Sequence, residues 1–80
     1  MEEATVKETA HKLLESYLGN KVLIRVKGDL EIKGRLKSFD QHLNLVLDDA
    51  EEIRVNGDVR RIGMVIVRGD SVILVSPVKE

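Results

Sequence analysis

The sequence predicts a small, mainly β protein in which one N-terminal α-helix lies on a strongly bent antiparallel sheet. Three observations carry that reading. Apolar residues recur at three-and-four spacing only near the start of the chain, and after Asn20 the period becomes alternating. Turn signals then punctuate the alternation at Gly28-Asp29, Asn56-Gly57 and Arg68-Gly69-Asp70-Ser71. Finally, Gly34 stands inside a strand, where a missing side chain marks a bend or a close approach.

The helix is expected over about residues 5–18, with Val6, Ala10, Leu13, Leu14, Tyr17 and Leu18 as a core stripe and His11 on the solvated side. Thr5 followed by Glu8 matches a capping box, and Gly19 suits the left-handed position beyond the C-terminus. The first strand follows, with Val22, Ile24 and Val26 on one face, and a two-residue turn at Gly28-Asp29 leads into the second. There Leu30, Ile32, Gly34 and Leu36 alternate with Glu31, Lys33, Arg35 and Lys37, giving one buried face and one wet, largely basic face. A third strand is expected from about His42 to Val55, with Leu43, Leu45 and Leu47 facing one side. The last two strands carry the apolar tetrads Met64–Val67 and Val72–Val75, joined as a hairpin by a very tight turn. One helix does not cover both faces of that hairpin, and exposed apolar edges pair with other chains. A neighbouring subunit is therefore expected to cover it.

Composition narrows the classes. A chain of 80 residues builds a small core, and with no cysteine and only two histidines it has neither disulfide nor zinc site to brace it. Oligomerisation is the remaining brace. No cofactor and no metal are expected, although the acidic run "DDAEE" offers a weak site for a hard cation. No apolar run is long enough for a bilayer and the start "MEEATVKE" is unlike a signal peptide, so a cytoplasmic protein without membrane contact is expected. Formal net charge is −1, so any nucleic-acid binding must be local rather than driven by a global basic field.

Two stretches carry a resemblance to a known family. They are "KVLIRVKGDLEIKGRLKSFDQHLNLVLDDAEE", with Gly34, Asp40 and Asn44, and "IGMVIVRGDSVILVSP", with its Arg-Gly-Asp. In that order, behind a capped helix, they resemble the two motifs of the Sm and Sm-like (LSm) RNA-binding proteins. The resemblance implies a single domain over residues 1–80, with the first motif at about 21–52 and the second at about 62–77. It implies the Sm fold, an N-terminal helix on a strongly bent five-stranded antiparallel sheet close to a small SH3-like barrel. It also implies a ring in which the fourth strand of one subunit pairs with the fifth of the next. With no long Arg-Gly tail, the chain looks like the archaeal branch, which generally assembles from seven identical subunits. The implied partners are uridine-rich single-stranded RNA, further copies of the chain and RNA-processing proteins.

On this sequence the family's RNA pocket falls at Asp40, His42 and Asn44, and at Arg68, Gly69 and Asp70. Unpaired bases are held by stacking and read by hydrogen bonds to their edges. His42 and Arg68 supply two flat groups for the faces of a pyrimidine, though many family members have an aromatic ring where His42 stands. Asn44 supplies the reader. An amide has both a donor and an acceptor, so it reads uracil in one orientation and cytosine in the other. Asp40 accepts only, and at this spacing it is expected to fix the amide by taking one of its N–H groups. An enzyme built on Ser38, Asp40 and His42 is disfavoured, since such a loop offers no buried orienter or oxyanion site. The remaining rival is a ring that acts as a protein scaffold with RNA binding secondary.

Overall fold

The computed structural model describes residues 5–79. Its elements are α1 (Val6–Tyr17), β1 (Lys21–Val26), β2 (Leu30–Phe39), β3 (Leu45–Arg54), β4 (Val59–Val67) and β5 (Val72–Pro77). The five strands form one antiparallel sheet in the order β4-β3-β2-β1-β5. The expected fold, one helix on a bent five-stranded sheet, is what the chain adopts.

The helix begins as its sequence dictates. Thr5 Oγ1 accepts the N–H of Glu8 at 3.1 Å while Glu8 Oε1 accepts the N–H of Thr5 at 3.3 Å, so two orphan donors are satisfied reciprocally. It ends at Gly19, whose φ of +80° only glycine adopts freely. Its buried face is narrower than the apolar stripe suggests. Leu14 is buried and Ala10 and Tyr17 are half-buried, whereas Val6, Leu13 and Leu18 are exposed. A short helix resting on a curved sheet touches it along one line of side chains; Leu13 lies off that line, whereas Val6 and Leu18 stand at the two ends of the helix, Val6 in its first turn and Leu18 at the C-cap. His11 departs from its solvated assignment as well. Its ring meets Phe39 edge-on at 5.2 Å, and its Nδ1 is buried with no hydrogen-bond partner among the described residues.

In the strands, alternation sends Val22, Ile24, Leu36, Leu45 and Leu47 inward, where all five are essentially inaccessible. Burying such a side chain stabilises by about 1.5–3 kcal/mol, so this inner face holds the sheet in its bend. Gly34 sits at the tightest point. A Cβ there would lie 3.1 Å from both the Ala50 Cα and the Asp48 carbonyl oxygen, so the β2 backbone closes onto β3 only because residue 34 has no side chain. Directly opposite, the β2–β3 register slips between Lys33 and Arg35, and Asp49 takes a φ of +50° as the chain bulges.

Three expectations are corrected. Val26 pairs with Leu30, so the first turn has three residues, Lys27–Asp29, rather than two; Gly28 and Asp29 both have positive φ. β3 starts at Leu45, not His42, because Leu43 adopts a φ of +62° and leaves the face it would share with Leu45 and Leu47. The apolar tetrads do not form a hairpin. β4 and β5 are the two opposite edges of the sheet, brought near each other by its curl and joined by a 3₁₀ turn at Gly69–Ser71. Each edge is left unpaired among the described residues, and Met64, Ile66, Ile73 and Leu74 remain exposed along them.

Candidate nucleic-acid interface

Residues 40–44 form a loop organised by one carboxylate. Asp40 Oδ1 accepts the backbone N–H groups of His42 (2.9 Å) and Asn44 (3.0 Å), and Oδ2 accepts the Asn44 side-chain N–H at 2.9 Å. Backbone bonds from Asp40 N to Asn44 O and from Leu43 N to Asp40 O close the base of the loop. These contacts offset the cost of placing Leu43 in the left-handed region, roughly 1–2 kcal/mol for a residue with a Cβ. The same bonds favour the ionised form of Asp40. Its pKa is lowered from 3.8, with the Asn44 side-chain hydrogen bond as the largest cause and the Asn44 backbone N–H next.

The second loop meets the first at Asn44. Asn44 Oδ1 accepts the backbone N–H of Gly69 at 2.8 Å. The approach is close enough to demand glycine, since a Cβ on residue 69 would run into the His42 carbonyl oxygen and lie 3.0 Å from the Leu43 carbonyl. Gly69 thus lets the two loops touch, a role visible in the sequence only as the small residue between Arg68 and Asp70. Arg68 and Asp70 flank the contact. They form an exposed ion pair at 3.5 Å, which leaves the guanidinium largely available. The His42 side chain is also exposed, with its Nε2 3.5 Å from Gln41 Nε2.

Asn44 is therefore held at both ends of its amide. One N–H goes to a carboxylate, which only accepts, and the oxygen goes to an N–H, which only donates. Turning the amide over would break both bonds. One N–H and one oxygen lone pair of the amide are left without a partner among the described residues, with nitrogen and oxygen in fixed order. Of the six residues singled out from the sequence, Asp40, Asn44 and Gly69 form one bonded unit, the backbone of His42 is tied into it, and Arg68 and Asp70 border it.

Two loops at one end of a curled sheet, meeting at an oriented amide, define a small-barrel binding module. The LSM domain model matches residues 12–77, and the chain belongs to that family of Sm-like proteins. It is 47% identical over 66 residues to an snRNP Sm-like protein of Aeropyrum pernix, covering 82% of this chain and 84% of that one. Among solved structures it is similar to a heptameric archaeal Sm protein, with 46% identity and a TM-score of 0.80 over 85% of this chain and 98% of that one. It is also similar to the Pyrococcus abyssi Sm protein in complex with a uridine heptamer, with 40% identity and a TM-score of 0.80 over 85% and 96% of the two chains. No helix among the described residues is long and apolar enough to cross a membrane.

Proposed function

We propose that this chain is a ring-forming RNA-binding protein whose subunits each hold one uridine of a uridine-rich single strand, and that it works in the cytoplasm as a binding protein rather than a catalyst. The observation that carries the reading is the doubly held Asn44 amide. Its spare N–H and spare lone pair match uracil O4 and N3–H in that order; cytosine presents the reverse order. His42 and Arg68, exposed on the two loops that meet at the amide, stack on the base and attract its phosphate. Asp40 orients the reader, and Gly69 lets the second loop reach it.

The ring follows from the sheet order. β4 and β5 are the unpaired edges, both lined with exposed apolar side chains, so β4 of one subunit continues the sheet of the next through its β5. Related proteins of this fold are described as heptamers, and one is held with a uridine heptamer. Seven subunits with one uridine each is the arrangement we infer. Native mass measurement combined with titration of labelled heptauridine tests it. The expected result is a closed ring binding one heptauridine. Equal affinity for oligoadenylate and oligouridine would overturn the uridine reading.

A further inference from the structure

Away from the loops, the outer face of the sheet carries a charged cavity of about 290 Å³. It is lined by Lys21 from β1, Lys33 and Arg35 from β2 and Arg61 from β4, with Asp49 and Glu51 of β3 between them. A second hollow of about 320 Å³ shares Lys21 and Arg35 with the first and is also lined by Tyr17. Four cations against two carboxylates give the first groove local positive charge in a chain whose formal net charge is −1.

The groove leads somewhere. β2 carries Lys33, Arg35 and Lys37 toward its outer face and ends at Phe39, immediately before Asp40. At about 3.3 Å per residue, Arg35 lies roughly 17 Å along the strand from the uridine-reading loop, within reach of a few nucleotides. Lys37 extends the outward alternation of Lys33 and Arg35 toward that loop. Ring closure uses the backbone edge of β4, in the plane of the sheet, whereas Arg61 projects from the sheet with its side chain 90% exposed.

We propose that this groove is a second RNA contact, which holds the phosphodiester backbone of single-stranded RNA flanking the uridines seated at the loops. The chemistry is that of phosphate, not of base reading. Lys33 and Arg61 stand opposite Glu51 on its two neighbouring strands, and the Arg61–Glu51 pair is long and exposed at 3.8 Å. Such a pair contributes little and yields readily to a phosphate. Glu51 stands between the two cations and competes with a phosphate for them. Arg35 gives one N–H to the Gly19 carbonyl at 2.6 Å, so its guanidinium is anchored with other N–H groups to spare. The proposal rests on the uridine reading only for the direction from which the RNA arrives.

The test compares heptauridine with a longer single strand carrying the same heptauridine run and a uridine-free tail, tail at either end. The intact ring should bind one tailed strand more tightly than heptauridine. The double variant Lys33→Gln with Arg61→Gln should lower that gain by roughly three- to tenfold and reduce the salt slope by about 0.7 for each phosphate it no longer neutralises, with heptauridine affinity unchanged. Glu51→Gln should raise the gain, an effect that a merely structural role for the cavity does not produce. Lys7→Gln with Lys12→Gln on the helix removes the same charge elsewhere and sets the background. A tail gain that is absent in the unsubstituted ring, or that responds equally to both double variants, overturns the proposal. If heptauridine itself fails to bind, the uridine reading falls separately, and the affinity of the uridine-free strand with and without Lys33 and Arg61 still decides the groove.

Discussion

Asn44 Oδ1 and the backbone N–H of Gly69 lie 2.8 Å apart, joining two loops separated by 25 positions in the chain. Through this bond the second motif completes an arrangement that the first begins, and the nearness of the His42 carbonyl oxygen leaves no space for a side chain at residue 69. Gly69→Ala should therefore push the loops apart without touching the sheet interior. We expect a uridine affinity at least tenfold weaker and a local destabilisation of about 1–3 kcal/mol, the usual cost of forced overpacking. Calorimetric titration with heptauridine, alongside thermal unfolding, reads both. Unchanged affinity would mean that the meeting of the loops plays no part in binding.

Asp40 is the other hold on Asn44, and its lowered pKa fixes the sign of a pH effect. A carboxylate with a depressed folded pKa contributes stability that is full above its ordinary value of 3.8 and is lost as pH falls through the lower folded value. The loop should accordingly keep its order at about pH 5 and lose it only below 3.8. Carboxyl NMR of Asp40 gives the measurement. Asn44→Ala should move its titration upward, because the largest cause of the depression is removed; an unmoved titration would assign the effect elsewhere.

Assembly is testable on the β4 edge. Val67 is buried and faces the subunit's own core, so a charge there would unfold the subunit rather than open the ring. Ile66 is 73% exposed on the adjacent position and is the better probe. Ile66→Lys should leave a folded chain of 9.0 kDa that no longer forms a ring, as read by light scattering and circular dichroism. A ring of unchanged mass would place the interface on another surface.

The bend has its own probe in Gly34. Replacing it with valine drives a branched side chain against the Ala50 backbone and the Asp48 carbonyl. We expect a loss of about 1–3 kcal/mol in chemical unfolding, larger for valine than for alanine because the added methyl groups meet the same close backbone. No loss with either residue would show that close packing at the bend is not what demands glycine.

Much of this fold is legible in the sequence. The capping box, Gly19, the inward alternation of Val22, Ile24, Ile32 and Leu36 and the two motifs are local patterns, and local patterns survive folding. What is not legible depends on long-range geometry. Pairing of β4 with β5 looks natural because the two adjoin in sequence, yet the curl of the sheet makes them opposite edges. Leu43 matches the alternation of Leu45 and Leu47, but the bonds from Asp40 turn it out of register. His11 gives no sign of Phe39, which lies far along the chain. At the site, the Asp40–Asn44 bond follows from spacing alone; the Gly69 bond does not, since no spacing rule links residues so far apart.

The central claim is that the fixed Asn44 amide reads uracil, and the ratio of oligouridine to oligocytidine affinity tests it most directly. Asp40→Ala removes one hold and leaves the Gly69 hold, so it should lower the ratio only in part. Asn44→Ala removes the reader altogether. In a ring of unchanged mass it should bring the ratio close to unity, a loss of roughly 1–3 kcal/mol of discrimination by analogy with paired base-edge contacts. An Asn44→Ala ring that retained the full preference for uridine would contradict the account.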